Sequence, residues 1–256
     1  MDYLNRGPIV RFTVLTLFPD VFDSPLKASI LGKAIKQEKI RVDIINLRDF
    51  TKGKHKVADD KPYGGGKGML MKPEPIIEAI NSVKHVSPEV WTILLSPYGL
   101  KFNQQIAKSL SKKSHLLLIC GHYEGVDERV RYFIDEELSL GDFVLTGGEV
   151  AALAVIDAVS RLVPNVLGSY SSVEEESFSN GLLEYPQYTR PKVYKGHKVP
   201  EVLLSGHHKN IEEWRRRQAL LRTLILRPDL LEKAELEKED MDFLIETCKF
   251  LESLSR

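Results

Sequence analysis

Short apolar runs alternate with amphipathic stretches along the first part of this chain. The apolar runs are rich in β-branched and aromatic residues and predict buried strands at residues 10–18, 40–47, 90–95, 115–120 and 138–145. The amphipathic stretches predict helices that begin at Ser24-Pro25 and at Pro73 and others that cover residues 102–110, 127–134 and 149–163. This alternation predicts an α/β fold with a mostly parallel sheet and helices on both faces.

The rest of the chain has a different composition. Residues 168–180 are rich in Ser and Glu and have few apolar residues, which predicts a linker. Beyond Pro200 only helical patterns remain, and Asn210 with Glu213 resembles a capping box at the start of one helix. The apolar stripe predicted for that helix is Ile211, Trp214, Gln218, Leu221 and Ile225. The predicted regions are an α/β domain at 1–167, a flexible linker at 168–175 and a small all-helical domain at 176–256.

Three of the apolar runs lead into segments that contain glycine. Residues 94–99 read L-L-S-P-Y-G, residues 120–125 read C-G-H-Y-E-G, and the run from 138 leads to Gly141 and then to Gly147-Gly148. Backbone can approach a ligand closely at glycine, and open α/β sheets bind ligands beyond their strand ends. The three segments therefore predict one shared ligand crevice, although each glycine alone is also explained as an ordinary turn residue.

Composition limits the classes of protein that need to be considered. The 256 residues include 36 basic and 36 acidic side chains, so a nucleic-acid surface would have to be a local patch. The two cysteines, Cys120 and Cys248, form no C-x-x-C pair, which favours a reduced cytoplasmic protein without structural zinc. The N-terminus lacks the apolar run of a signal peptide, and the longest apolar stretch, 150–163, is interrupted by charges. We expect a soluble protein.

The common nucleotide-binding and metal-binding motifs are absent from the sequence. No G-x-G-x-x-G follows the first strand, and Gly64-Gly65-Gly66-Lys67 is followed by Gly68 rather than by Ser or Thr, so it is not a P-loop. The adjacent pair His207-His208 does not have the spacing of metal ligands on a helix. A nucleotide-like ligand would therefore be bound by a different geometry.

Five strings of residues are similar to one known family. They are D-D-K-P-Y-G-G-G-K-G-M from Asp59, C-G-H-Y-E-G-V-D-E-R-V from Cys120, G-D-F-V-L-T-G-G-E from Gly141, E-S-F-S-N-G-L-L-E-Y-P-Q-Y-T-R-P from Glu176 and L-L-S-G-H-H from Leu203. In this order and spacing they resemble the bacterial tRNA (guanine-N1)-methyltransferases of the knotted SPOUT class. The similarity extends along nearly the whole chain.

The resemblance implies a fold, a reaction and an assembly. The fold is a donor-binding α/β domain with a trefoil knot, which no argument from the residues alone would propose. The reaction is methyl transfer from S-adenosylmethionine to N1 of the guanine immediately 3′ of a tRNA anticodon. The assembly is a homodimer whose active sites are shared between subunits, and a Mg²⁺ requirement stays open.

The resemblance also assigns the methyl donor to the three glycine-containing segments. Adenine needs an apolar slot with main-chain donors and acceptors, which residues 140–145 can supply. The implied donor-binding residues are Leu95, Ser96, Pro97, Gly99, Gly121, Tyr123, Glu124, Gly125, Leu140, Gly141, Asp142, Phe143, Val144, Leu145, Gly147 and Gly148.

Methylation of guanine at N1 needs a base near N1 and a cation or donor near O6. By resemblance the base is Glu176 and the cation is Arg161. The family commonly has Asp in place of Glu176, and taken alone Glu176 ends a Glu174-Glu175-Glu176 run of a kind that is usually solvated. Arg161 follows an apolar helix, where the helix dipole also favours a cation. Glu124 is the alternative base, unless it pairs with Arg129 or with a main-chain donor.

Basic residues with neighbouring aromatic rings are the candidates for RNA contact. They lie from Thr51 to Gly68 in the predicted polar loop 48–68, in Tyr188-Thr189-Arg190 and in Arg215-Arg216-Arg217, although the last three also suit a solvated helix face with Trp214 in the core. The residues assigned to tRNA are Asp59, Tyr63, Gly65, Tyr188 and Arg190. His122 stands where relatives often have Arg, so its charge would depend on pH.

Two other functions stay open at this stage. One is a different RNA methyltransferase of the same class, for instance a ribose 2′-O enzyme, which would not need a base near a guanine ring. The other is a non-enzymatic RNA-binding module that kept the fold. The glycines at 121, 141, 147 and 148 argue against the second, because a protein that only binds RNA has no need of the donor pocket.

Overall fold

The structure is a computed structural model that describes residues 10–167, 177–178 and 180–254. The chain divides into two compact units, Met1–Tyr170 and Ser171–Arg256. The predicted linker 168–175 lies outside the described residues.

A five-stranded parallel sheet forms the centre of the first unit. The strands of this unit are β1 Val10–Thr16, β2 Ile40–Asn46, β3 Asp59–Asp60, β4 Leu70–Met71, β5 Trp91–Lys101, β6 His115–Cys120 and β7 Glu136–Ser139. The order in the sheet is β2-β1-β6-β5-β7, and every neighbouring pair is parallel. The prediction of a mostly parallel α/β sheet is confirmed.

Helices cover both faces of this sheet. The α-helices of the first unit are α1 Ser29–Lys36, α2 Pro73–Val86, α3 Gln104–Leu110 and α4 Glu149–Ser160. Alternate residues of β1 point to opposite faces, so Phe12 and Val14 pack in the core beneath α1, α3 and α4, whereas Leu15 packs in the core beneath α2. The central strand β6 is buried along its whole length, because both of its faces are covered.

The prediction of one continuous helix from Ser24-Pro25 is wrong. Residues Pro25–Lys27 form a separate turn of 3₁₀-helix. Ala28 is extended, with φ −101° and ψ 155°, and its N–H closes that turn on Pro25. Helix α1 begins only at Ser29 because the extended residue interrupts the ladder of helical hydrogen bonds.

Three further predictions in this unit need correction. The polar loop predicted from residue 48 begins with a 3₁₀ turn, Leu47–Phe50, because the Asn46 side chain accepts a hydrogen bond from the Arg48 N–H. Farther along, β3 pairs with β4 as an antiparallel ribbon. The strand predicted to run through residue 145 ends at Ser139, because the hydroxyl of Ser139 bonds to both the N–H and the carbonyl of Gly141. The short helix predicted at 127–134 is a 3₁₀-helix, Glu128–Phe133.

Within residues 177–178 and 180–254, the second unit contains three α-helices, a 3₁₀ turn at Glu201–Leu204 and a short hairpin. The elements are β8 Val193–Tyr194, β9 His197–Lys198, α5 His208–Leu226, α6 Pro228–Leu231 and α7 Lys238–Leu254. Helical structure beyond Pro200 is confirmed, but the hairpin means that the region 176–256 is not all-helical. Its core contains Leu182, Ala219, Leu220 and Leu244.

The boundary and the buried face of α5 differ from the prediction. The helix begins at His208, so Asn210 lies inside it, and the capping box is wrong. The buried residues are Ala219, Leu220 and Thr223, because this is the face that packs against Leu182 and Leu244, whereas the predicted stripe residue Ile225 is 63% exposed. Trp214 is only partly buried, and its ring lies 6.4 Å from that of Tyr188.

A buried histidine makes the first unit sensitive to acid. His115 is 4% exposed, and its two ring nitrogens lie 2.9 Å from the hydroxyls of Thr13 and Ser87. Burial, followed by the nearby charge of Arg11, lowers the pKa of His115 to about 4, against the opposing effect of Asp43. Between the ordinary pKa of 6.5 and about 4, the unfolded chain takes up a proton that the folded chain does not, so stability falls as the pH falls through this range.

We predict that urea unfolding of the wild type loses about 2 kcal/mol of stability from this residue between pH 6.5 and pH 5. His115→Gln removes the titrating group but keeps a polar side chain, so the variant should lose less stability over the same interval. Parallel pH dependences of the free energy of unfolding in the two proteins would contradict the assignment to His115.

Candidate active site

Three neighbouring parallel strands end at the same edge of the sheet, and their loops meet there. These strands are β6, β5 and β7. The N–H of Gly148 donates to the carbonyl of Gly121 at 2.8 Å, and His122 forms an isolated β-bridge with Gly147. A Cβ at Gly121 would lie 3.6 Å from the carbonyl oxygen of Leu95. The structure therefore brings the three glycine-containing segments together.

The first segment, Ser96 to Gly99, is held against β7. Strand β5 continues past Leu95 to Lys101, with a register shift between Leu95 and Leu100. A Cβ at Gly99 would lie 2.4 Å from the main chain of β7, so only glycine fits. The hydroxyl of Ser96 accepts a hydrogen bond from the Tyr98 N–H at 3.0 Å, while Pro97 and Tyr98 are exposed. The segment thus has a fixed backbone and an exposed outer surface.

An ion pair that the sequence analysis missed supports this segment. Arg131 contacts both carboxylate oxygens of Glu137, at 2.9 and 3.0 Å, and it also pairs with Glu128. Burial raises the pKa of Glu137, but hydrogen bonds from Arg131 and Ser96 outweigh it and leave the pKa below its ordinary value. Glu137 therefore stays ionised and fixes the hydroxyl of Ser96. The available signal was a pair of acidic residues at the start of a short strand whose last two residues are buried.

The second segment, Gly121 to Gly125, is tied to the end of the polar loop. The Glu124 N–H donates to the carbonyl of Met69 at 3.1 Å, and the Met71 N–H donates to that of Gly125 at 3.0 Å. A Cβ at Gly68 would overlap the Glu124 side chain, so this carboxylate lies directly against the loop. Arg129 pairs with Asp127 instead, at 2.8 Å, so the suggested Glu124–Arg129 pair is wrong.

His122 occupies the inner side of the second segment. Its ring centroid lies 4.7 Å from those of Phe18 and Tyr123. Its Nδ1 atom is buried and has no hydrogen-bond partner among the residues that the structure describes. The residue also lines a cavity of about 290 Å³, together with Phe18, Val21, Thr146, Gly147, Glu149 and Val150. A buried ring nitrogen without a partner is unusual in a folded protein, and this one lies against Gly147 at the side of the cavity.

The third segment, Leu140 to Leu145, leaves apolar side chains in solvent. Phe143, Val144 and Leu145 are 56%, 87% and 39% exposed. Asp142 pairs with Lys101 at 2.7 Å on the surface, and Leu140 packs against the core. Within the described residues, the N–H groups of Val144 and Leu145 donate no hydrogen bond. Apolar side chains beside unused main-chain donors have the properties of an adenine slot.

Gly148 is required for packing, which the sequence analysis did not foresee. It directly precedes α4, and a Cβ there would lie 2.7 Å from the Cα of Cys120. Any side chain at this position would displace the end of β6. The interpretation of Gly148 as an ordinary turn residue is therefore wrong. Gly147 differs, because a Cβ there would meet only the side chains of His122 and Glu149.

Glu149, at the first position of α4, is buried for a structural reason. Its carboxylate accepts a hydrogen bond of 2.7 Å from the hydroxyl of Thr16, and an acidic residue is favoured at a helix N-terminus. Burial, and then the charge of Glu149, raises the pKa of the Cys120 thiol. Cys120 therefore remains a neutral core residue and is unsuited to act as a nucleophile.

Of the two residues predicted to be catalytic, only Arg161 lies among the described residues, and it is not part of this crevice. Arg161 caps the C-terminal end of α4, and the twelve residues of that helix span about 18 Å. It thus lies at the opposite end of α4 from Gly147 and Gly148. Glu176 is outside the described residues.

The residues predicted to contact tRNA lie in both units. In the first unit Asp59 lies in β3, Tyr63 is fully exposed, and Gly65 has φ 78° with open space around it. In the second unit Tyr188 is 49% exposed and Arg190 is exposed. Arg216 and Arg217 pair with Asp240 and Glu213, so those two charges are used on the helix surface.

Neither a candidate metal site nor a membrane-spanning helix occurs in the described ranges of the chain. In residues 10–167, 177–178 and 180–254, no three His, Cys, Asp or Glu side chains form a group that could hold a metal ion. None of the helices within the same ranges is long and apolar enough to cross a membrane.

A parallel α/β sheet with glycine-containing loops that meet beyond neighbouring strand ends defines a class of proteins that bind a nucleotide-like ligand at that edge. The sequence model of the family described as tRNA (Guanine-1)-methyltransferase TrmD matches residues 10–233. This chain belongs to that family.

Several relatives are similar over nearly their whole length, and each is named tRNA (guanine-N(1)-)-methyltransferase. The protein from Dictyoglomus turgidum is 55% identical over 95% of this chain and 98% of its own. That from Carboxydothermus hydrogenoformans is 58% identical over 90% of this chain and 91% of its own. That from Desulforamulus reducens is 50% identical over 96% of this chain and 98% of its own.

Proposed function

We propose that this protein transfers a methyl group from S-adenosylmethionine to N1 of the guanine immediately 3′ of a tRNA anticodon. Membership of the family supports the reaction and the tRNA substrate. The structural observation that carries the proposal is the meeting of three glycine-containing loops at one edge of the sheet, joined by the hydrogen bond from Gly148 to Gly121.

The crevice fits the methyl donor in two respects. The apolar side chains of Phe143 and Leu145 flank main-chain N–H groups that are not used within the described residues, as an adenine ring requires. The segment from Ser96 to Gly99 offers a rigid backbone for the ribose and the amino-acid part. When bound, S-adenosylmethionine supplies an electrophilic methyl group on a positively charged sulfur.

The remaining chemistry belongs to two side chains. Glu176 would accept the proton from guanine N1, so that the nitrogen lone pair becomes available for attack on the methyl carbon. The bond from this carbon to the donor sulfur would break at the same time, and the neutral thioether S-adenosylhomocysteine would leave. Arg161 stabilises the negative charge that develops on O6. Glutamate in place of the aspartate common in the family keeps the carboxylate and lengthens its reach by one methylene. Glu124 is the alternative base, because it lies in the second segment of the crevice, against Gly68.

The position of Arg161 supports an active site shared between two subunits. Arg161 is about 18 Å, the length of α4, from the glycines at the start of that helix. A cation this far from the crevice of its own chain is better placed to act in the crevice of a partner molecule. We therefore propose a C₂ homodimer in which the donor loops of one subunit meet Arg161 and Glu176 of the other. The trefoil knot of the donor-binding domain belongs to the same proposal.

The tRNA contacts are proposed for residues of both units. In the first unit, Asp59, Tyr63 and Gly65 lie in one polar loop. Hydrogen bonds of Met69 and Met71 connect the end of this loop to the second segment of the crevice. In the second unit, the exposed Tyr188 and Arg190 offer a ring for stacking and a cation for phosphate. The first unit would thus hold the donor and the second would position the RNA.

The proposed reaction predicts one modified atom. A tRNA transcript with guanine 3′ of the anticodon should gain one methyl group at N1 of that guanine, located by nuclease digestion and mass spectrometry. Replacement of this guanine by adenine should abolish turnover but lower affinity much less, because phosphate contacts dominate binding. Equal rates on both transcripts, or a methyl group on a ribose 2′ oxygen, would overturn the proposal.

The shared site predicts complementation between two inactive variants. Glu176→Gln cannot accept the N1 proton, so its single-turnover rate should fall about a hundredfold or more. Leu145→Asp places a charge in the adenine slot and should prevent donor binding. A heterodimer of the two variants has one site with both defects and one intact site, so it should regain about half of the wild-type activity.

The reciprocal pairing is the control for this experiment. When both substitutions are on one chain and the partner is wild type, a shared arrangement leaves each site with one defect, and the heterodimer should be inactive. If each chain instead uses its own Glu176, the double-substituted pair regains half of the activity and the first pair regains none. Subunit exchange should be verified with differently tagged chains.

A further inference from the structure

The second unit carries an exposed hairpin with a concentrated positive charge. We call residues 190–198, which include β8 and β9, the basic hairpin. They contain the four cations Arg190, Lys192, Lys195 and Lys198, together with His197. No Asp or Glu occurs between Glu184 and Glu201, although the chain as a whole has zero net charge. The hairpin is therefore a local positive patch of the kind that a neutral chain needs for contact with a polyanion.

The fold does not use these charges. Arg190 and the three lysines are all exposed, and none of them pairs with an acidic side chain in the part of the chain that the structure describes. Other arginines of the same unit are paired: Arg216 with Asp240 and Arg227 with Asp229. Like charges held close together on a small hairpin repel one another. No ion pair among the described residues of the unit offsets this repulsion.

The tip of the hairpin points to the same conclusion. Lys195 and Gly196 both have positive φ, 48° and 85°, which is the geometry of a type I′ turn. Asn, Asp and Gly are the residues favoured at the first of these positions, and a lysine there is strained. Its Nζ atom lies 5.6 Å from the centre of the Tyr194 ring, and no ion pair holds it. A lysine thus occupies a position at which turn stability alone would favour another residue.

We propose that the basic hairpin binds the phosphate backbone of the tRNA substrate, an inference that rests on the proposed function. Lysine ammonium groups on flexible stems bind phosphates as point charges and do not read base edges in a fixed geometry. The hairpin accordingly contributes affinity and salt dependence and takes no part in methyl transfer. Tyr194, which is 63% exposed, lies between these cations.

The test neutralises the three lysines of the hairpin together, as Lys192→Gln, Lys195→Gln and Lys198→Gln. Each phosphate contact contributes about 0.7 to 0.9 to the slope of log affinity against log salt, so the slope should fall by about 2 to 3. Affinity for tRNA at physiological salt should fall by more than about tenfold. The single-turnover rate at saturating tRNA and the affinity for S-adenosylmethionine should not change.

Two matched variants complete the experiment. The corresponding triple change to Arg keeps the charge and should keep both the affinity and the slope. A second triple, Lys233→Gln, Lys238→Gln and Lys249→Gln, removes the same charge from the same unit. Its lysines are exposed among acidic neighbours such as Glu232, Glu239 and Glu246, so tRNA binding should change little. Circular dichroism and thermal melting check that each variant is folded.

The outcomes separate this inference from the proposed function. If the wild type binds and methylates tRNA but the hairpin variant keeps its affinity and salt slope, the hairpin proposal is wrong and the proposed function stands. Equal losses in the hairpin variant and in the Lys233, Lys238 and Lys249 variant would also overturn it, because the effect would then be one of total charge. A wild type that binds no tRNA would overturn the proposed function and the hairpin's role together.

Discussion

The site depends on the direct contact between the start of α4 and the end of β6. The Gly148 N–H donates to the Gly121 carbonyl at 2.8 Å, and the backbones are so close that a Cβ at 148 would lie 2.7 Å from the Cα of Cys120. This contact places the loop that precedes α4 beside the loop that follows β6. The sheet fixes the strand ends, and this contact fixes the two loops against each other, so that they form one crevice at this edge of the sheet.

The other loop contacts are polar and leave the outer surface of the crevice for ligands. Glu137 holds Ser96 and Arg131, and main-chain hydrogen bonds join Met69 and Met71 to residues 124–127. Phe143 and Leu145 remain exposed, and neither of them takes part in these contacts between loops. Positions that fix the loops are therefore distinct from positions that are available to the donor, although both kinds occur in the same three segments.

The sequence predicted the central sheet because β1 and β6 are apolar runs. A strand that is buried on both faces requires such a run. The sequence also predicted which loops would meet, because parallel strands end at one edge. It did not predict the end of β7, where the hydroxyl of Ser139 binds the backbone of Gly141 in place of a ladder partner. Nor did it reveal that Gly148 is needed for packing, because a glycine in a turn and a glycine at a close packing contact cannot be distinguished from the sequence alone. The buried face of α5 was missed because tertiary contacts with Leu182 and Leu244, and not helical periodicity alone, select it.

Calorimetry with S-adenosylmethionine tests most directly whether the three loops form the methyl-donor site, as we propose. The wild type should bind one donor per subunit, and Leu145→Asp should lose this binding while its circular dichroism spectrum stays unchanged. Val86→Asp, an equal change at a 74% exposed valine at the end of α2, should bind as the wild type does. A wild type without measurable binding, or a Leu145→Asp variant with wild-type affinity, would contradict the claim.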